Sequence, residues 1–284
     1  MLQWIWRRQR RVPPLERKLS GVLTMNAVVT YAEDGRDCYT AGIPRLSRTL
    51  RRHASTLPLF AVAPRLGRRI DGRENLAHAD DFLACPSHRA VPYGFKPFLI
   101  RALAARGCTT VLWCDVSVVI RRDPGPVFQI ARERGIAVFD NPGCAQNVWT
   151  SDDALAAMGC PTDEAAQFMQ IMGCVVAVCV EHPLGRKILE EWSALAEDGV
   201  TFLGAGGSTR PAFRAHRHDQ SALSWLVRKY RVTPVPYGTV YYPPKSEQIP
   251  PPGVIFTVEG VGSAKRLRWE NRFAALRRLL TLRR

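Results

Sequence analysis

The residue most in need of explanation is Asp115. It stands in "LWCDVSVVI" (112–120), with Val111, Leu112, Trp113 and Cys114 before it and Val118, Val119 and Ile120 after it. A carboxylate in apolar surroundings is costly to bury unless something pairs with it. Hard cations such as magnesium or manganese take oxygen ligands, usually one or two carboxylates plus substrate phosphates. Asp115 is therefore a functional-site candidate; the plain alternative is a turn or capping acid at a strand end. Two positions on stands Ser117, a small hydroxyl where a second acid would be the obvious metal partner.

A second constellation is "HRHDQS" (216–221), in which two histidines, an arginine, an acid and an amide crowd together before a helix. Asp219 or Ser221 can cap that helix, but a cap needs one residue and here five polar groups stand in a row. Histidine can ligate a metal or move a proton, and Asp219 can serve as a base or accept a sugar hydroxyl. A third is Lys96 with Tyr93 in "VPYGFKPF". A lysine on a first helical turn is usually solvated. This one precedes the Asp115 strand by one helix, so it can reach the same crevice.

The elements around these residues alternate between strand and helix, which predicts an α/β layered fold. Buried strands are expected at Leu23 to Ala32, Leu57 to Pro64, around Leu112, at Ile136 to Asp140 and at Gly173 to Val180. Helices are expected over "CYTAGIPRLSRTLRRH", where Gly42 and Pro44 blur the start, and over "GFKPFLIRALAARG", where Pro97 suits the first turn and Gly107 the C-terminal cap. Further helices are expected in "PGPVFQIARERG", in "HPLGRKILEEWSALAED" and after "HRHDQS". "RLGRRIDGREN" reads as a charged loop and "YYPPKSEQIPPPG" as an irregular connector. In open α/β sheets ligands bind at the carboxyl ends of the strands. Asp115, Asp140, Thr30 and Tyr31 all close predicted strands.

The chain of 284 residues has room for one large domain or two small ones, and its 46% hydrophobic and 23% charged residues are ordinary for a globular protein. The formal net charge of +15 is not ordinary. It favours acidic partners such as nucleic acid, anionic lipid or phosphorylated small molecules; arginine grips phosphate bidentately, and it also simply covers solvated surfaces. The eight cysteines form no C-x-x-C pair and no zinc spacing. Cys114, Cys174 and Cys179 lie in apolar runs and read as small hydrophobes, reduced, in a cytoplasmic setting. "MLQWIWRRQRRVPP" has too short an apolar run for a signal peptide or membrane span. In "AKRLRWENRFAALRRLLTLRR", apolar residues interleave with arginine at helical spacing, which suits packing on the domain or lying on an acidic membrane.

Taken in order, "KPFLIRALAARGCTTVLWCDVSVVI", "MGCVVAV" and "HRHDQSALSWL" resemble the nucleotide-diphospho-sugar glycosyltransferases of GT-A fold, over about Leu23 to Tyr242. The resemblance implies a GT-A, Rossmann-like architecture with a mixed, mostly parallel central sheet flanked by helices. It implies a single catalytic domain over 21–262, between a basic N-terminal segment (1–20) and a basic amphipathic C-terminal helix (263–284). It implies transfer of a sugar from a nucleoside diphosphate sugar to a glycan, lipid-linked or protein acceptor. Asp115 and Ser117 then hold the place of the D-x-D motif that coordinates a divalent cation, manganese or magnesium, at the diphosphate. With Ser117 for the second acid, a metal-free arrangement is the alternative, with arginine, Lys96 or a helix N-terminus on the diphosphate. The family's terminal metal histidine has no match near "VGSAKRL". Thr30 and Tyr31 match the base pocket, Gly173 the close approach of backbone to substrate, and Asp219 and Gln220 the contacts to the transferred sugar. His216, His218 and Lys96 are expected to line the substrate. If the reaction inverts, Asp219 is the expected base and Asp140 the reserve. Peripheral contact with an acidic membrane is compatible with this reading. The competing reading is a non-enzymatic basic protein that binds nucleic acid or a membrane surface. Its basic residues are dispersed and no nucleic-acid motif stands out, so no specific nucleic acid is expected.

Overall fold

The computed structural model describes residues 25–32, 37–64, 69–70, 73–79, 82, 85–243 and 250–259. The expected N-terminal segment and C-terminal helix lie outside these residues, as does 244–249 of the Pro-rich connector.

The architecture is a mixed α/β fold with a central, mostly parallel sheet flanked by helices. β1 (Met25–Tyr31), β2 (Leu59–Val62), β5 (Cys108–Cys114), β7 (Ile136–Ala137) and β10 (Val175–Cys179) form one sheet in the order β2-β1-β5-β10-β7. β1 runs parallel to β2 and β5, while β10 is antiparallel to β5 and β7. The core strands are near-continuous apolar runs because both faces are covered. Every residue of β5 and β10 is buried.

Successive side chains of a strand point to opposite faces, and the core divides accordingly. Val29, Val111, Trp113, Val176 and Val178 join one apolar cluster with α2 (Phe95–Ala105), α6 (Pro183–Glu197) and α7 (His218–Lys229). Val28, Leu112, Cys114, Val175 and Ala177 join the other with α1 (Asp37–His53) and α3 (Gly125–Arg134). Among the described residues no helix is long and apolar enough to cross a membrane. Cys85, Cys114, Cys144, Cys160, Cys174 and Cys179 are free thiols.

The helix expected over "CYTAGIPRLSRTLRRH" is α1, with Gly42 and Pro44 inside it; two other local expectations need correction. Gly42 is where α1 touches the Asp115 turn: a Cβ there would fall 2.5 Å from the Val116 carbonyl oxygen. The strand expected to end at Asp140 stops at Ala137. Val138 and Asp140 bond instead to Val235, through Val235 N–H to Val138 O (2.7 Å) and Asp140 N–H to Val235 O (3.0 Å). Asp140 is exposed and opens β8 (Asp140–Ala145), which pairs with β9 (Met169–Ile171) away from the main sheet. Within the expected charged loop, β3 (Arg69–Ile70) and β4 (Arg73–Glu74) pair antiparallel.

Candidate functional site

Four element ends meet at one edge of the sheet. α2 leads into β5 and runs back along it, so the first turn of α2 lies beside the last residue of β5. β10, being antiparallel, begins where β5 ends. α7 brings its N-terminus to the same place.

Lys96 stands in the first turn of α2 and is only 2% exposed. Its ammonium donates to the Gly173 carbonyl oxygen at 2.7 Å, lies 2.8 Å from Asp219 Oδ2 and 3.4 Å from Asp115 Oδ1. The rings of Tyr93 and Trp113 flank it, with centroids 4.9 and 5.4 Å away. Burial alone works against an ammonium, but Asp115 and then Asp219 outweigh it and hold Lys96 above the usual lysine range. Asp219 is likewise buried, and that burial pushes its carboxyl above the ordinary carboxylate range, with Lys96 opposing. The Asp219 contact is a close charge pair outside hydrogen-bond alignment, so Oδ2 keeps unused accepting capacity.

Asp115 is held differently. Trp113 is two residues earlier, hence on the same side of the strand, and its indole N–H donates to Asp115 Oδ1 at 2.7 Å. The Asp115 N–H donates to Cys174 O (2.9 Å) and its carbonyl accepts from Val118 N–H (2.9 Å), closing a turn. With its side chain 29% exposed, Asp115 is the open acid of the cluster, and among the described residues Oδ2 has no hydrogen bond. Ser117 lies in that turn, and its carbonyl accepts from Arg45 and from Glu259 N–H. Its side chain is half-buried.

Gly173 closes the floor. A Cβ there would lie 3.3 Å from both Asp219 Oδ2 and Gln220 Cβ, so the absent side chain is what lets α7 come this close. Gln220 donates through Nε2 to Gln170 Oε1 (2.9 Å), and Gln170 Nε2 donates in turn to Ser221 Oγ (3.0 Å). The outcome is an amide whose N–H faces inward and whose oxygen faces the Gly173 side.

The two histidines separate. His216 Nδ1 accepts from Ser151 N–H (3.3 Å), which requires Nε2 to carry the proton it donates to Thr201 O (2.9 Å). Both His216 ring nitrogens therefore have partners within the fold. Burial, then His218, lower its pKa to about 4. His218 donates Nδ1–H to Phe202 O (2.7 Å), which leaves Nε2 as its acceptor, and its ring lies 5.7 Å from that of Tyr93. Tyr93 (φ 62°) and His218 (φ 40°) both hold left-handed backbone, a strained state for non-glycine residues that clusters at functional sites.

Tyr31 stacks on Phe95 (4.1 Å, 16°), and Phe95 meets Trp113 (5.6 Å), so an aromatic wall rises beside the acids. Thr30 is fully buried and its hydroxyl has no hydrogen-bond partner among the described residues. Asp140 shares no hydrogen bond or ion pair with this cluster among the described residues. The plain alternative, that Asp219 or Ser221 caps this helix, does not hold: Arg217 takes the N-cap position without a side-chain bond, and Ser221 donates to Trp149 O (2.9 Å). Gln170 was not foreseen; its only trace is one amide in the apolar run "MQIMGCVVAV". Tyr242, 46% exposed, donates to Cys174 Sγ (3.4 Å) and was read only as part of the connector.

The arrangement offers an open carboxylate, a buried carboxylate, an amide oxygen and an aromatic face around one ammonium. Those groups can accept hydroxyl hydrogens and stack on a flat ring. Among the described residues no three His, Cys, Asp or Glu side chains gather to hold a metal ion.

No protein-family model and no curated protein matches the chain. Solved structures similar to it include glycosyltransferases. One is the galactosyltransferase LgtC in complex with donor and acceptor sugar analogs, with 12% identity and TM-score 0.47 over 87% of this chain and 95% of that one. Another is mouse xyloside xylosyltransferase 1, with 10% identity and TM-score 0.49 over 84% and 99%. A third is the bifunctional glycosyltransferase WbbM, with 14% identity and TM-score 0.47 over 79% of this chain and 41% of that one, so the chain spans less than half of that protein.

Proposed function

We propose that this protein transfers a sugar from a nucleoside diphosphate sugar to an acceptor hydroxyl. One observation carries the reading: the lysine of "KPFLIR", the acid of "LWCDVS" and the acid of "HRHDQS" meet at a single ammonium, within 3.4 Å. Lys96 lies 19 residues before Asp115 and 123 before Asp219, and the fold brings all three charges to one edge of the sheet.

In this reading the Tyr31–Phe95 wall receives the base. Asp115 Oδ2 accepts a ribose hydroxyl, the role acids take at strand ends in such sheets. Gln220 Oε1 and Asp219 accept hydroxyls of the sugar to be moved. Asp219, with its carboxyl held high by burial, is the group placed to take the acceptor proton if the reaction inverts. His218 Nε2 lines the same side. The donor class and fold imply a divalent cation at Asp115 and Ser117, but the side chains present do not fit one held by the protein. Asp115 Oδ1 is already shared by the Trp113 indole and the Lys96 ammonium, and Ser117 supplies only a hydroxyl.

The test is nucleotide release from a panel of UDP- and GDP-sugars. Turnover of at least one donor is expected, and Asp115→Asn should abolish it while the folded state persists, because Asp115 is the open member of the cluster. Turnover of no donor, or a fully active Asp115→Asn, would overturn the proposal.

A further inference from the structure

Three non-glycine residues among those described have left-handed backbone: Tyr93, His218 and Arg231 (φ 53°). The first two flank the Lys96 cluster. Arg231 lies past the opposite end of α7, roughly 18 Å away at 1.5 Å rise per residue.

The chain there forms a Schellman ending. Val232 N–H bonds to Val227 O (3.0 Å) and Arg231 N–H to Arg228 O (3.1 Å), with Val227 in the core and partly buried Val232 packed against it. The residue between the cap and Val232 must be left-handed, and glycine is its usual occupant because any Cβ is penalised. An arginine at that position therefore opposes the local backbone preference. Its side chain lines an open cavity of about 330 Å³ together with Arg134, Leu184, Tyr230, Val232 and Thr233.

That cavity is built for negative charge. Among the described residues the Arg231 guanidinium has no ion pair, and Arg134 reaches only the Thr233 carbonyl, at 3.4 Å. Lys187 and Lys229 lie over the Tyr230 ring at 4.9 and 5.3 Å. The neighbouring acid, Glu191, is occupied by Lys229 and the Tyr230 hydroxyl. Leu184 belongs to the first turn of the 15-residue α6, so the cavity lies beside the N-terminal end of that helix.

We infer that Arg134 and Arg231 form a second binding site, for the phosphate group of a ligand, separate from the proposed donor crevice. Two planar guanidinium forks match phosphate oxygens bidentately. The phosphate can be that of a soluble phosphorylated compound or that of a lipid headgroup.

Titration calorimetry with inorganic phosphate, at constant ionic strength, tests this. Saturable binding is expected to weaken tenfold or more in Arg231→Gly and in Arg134→Gln. Arg231→Gly is also expected to raise Tm by about 2–4 °C, because glycine suits the left-handed position. Donor turnover, if present, should be unchanged in both variants, so the site stands or falls independently of the proposed transfer reaction. Co-sedimentation with phosphatidic acid vesicles, set against phosphatidylcholine vesicles, identifies the source. Pelleting that both variants lose assigns the site to a lipid headgroup; phosphate binding without pelleting assigns it to a soluble ligand. Absence of phosphate binding in the wild type, or undiminished binding in both variants, overturns the inference.

Discussion

The Lys96 ammonium sits 2.8 Å from Asp219 Oδ2, with side chains 2% and 5% exposed, so each charge is tolerated in the interior only because of the other. Removing one partner of a buried pair leaves an uncompensated charge and typically costs about 3–5 kcal/mol. Lys96→Met should lower the urea-derived stability by that order. Adding Asp219→Asn should recover part of the loss, and strictly additive effects would show that the two charges do not depend on each other.

Gly173 has no room for a side chain. In Gly173→Ala the new methyl meets Asp219 Oδ2 and Gln220 Cβ at 3.3 Å, so the head of α7 must give by a few tenths of an ångström. The stability cost is expected to be about 1–2 kcal/mol, with a larger proportional effect on turnover. Thermal melts and donor-hydrolysis rates on the same preparation separate the two, and unchanged turnover would remove Asp219 and Gln220 from substrate contact.

His216 makes stability depend on pH. Its folded pKa of about 4 is depressed from 6.5, so on acidification the unfolded chain takes up a proton that the folded chain refuses. Its contribution is present above pH 6.5 and is lost as pH falls toward 4, up to about 3 kcal/mol in all. His216→Gln can still accept from Ser151 and donate to Thr201. Urea midpoints of that variant at pH 7 and pH 5 should lie closer together than those of the wild type.

Manganese should not bind saturably without nucleotide. Asp115 Oδ2 is the one unengaged carboxylate oxygen of the motif, and hard cations held by so few protein oxygens rely on substrate phosphates. Calorimetry with manganese alone, then with uridine diphosphate present, distinguishes the cases. Tight binding of the bare ion would mean that further ligands join Asp115.

Much of this site is readable without coordinates, because its members sit where local patterns break. An acid in an apolar strand, a lysine on an apolar helix start and five polar residues in a row each violate an expectation of burial or capping. The sheet was readable for the same reason, from apolar runs that alternate with amphipathic helices. Asp140 misled because a strand end in sequence does not show whether the strand stays in its sheet; here Val235 draws the chain away. His216 and His218 look equivalent in the sequence, and only the carbonyls and N–H groups of distant loops decide which has a free nitrogen. Gln170 left almost no trace, since a single amide in an apolar run has meaning only once its partner across the fold is known. Arg231 was hidden by a conformation, and no residue pattern announces an arginine where glycine would be easier.

The three charges at Lys96 also constrain how this protein can diverge. A change at Lys96 alone strands the Asp219 carboxylate in the interior, and a change at Asp219 alone strands an ammonium. Descendants of this chain are therefore expected to replace Lys96 and Asp219 together or keep both, whereas partly exposed Asp115 can drift with the chemistry. A lineage that has lost the lysine but kept the "HDQ" acid would need a new cation in the same space, and Gly173, too tight for a side chain, is not where it can come from.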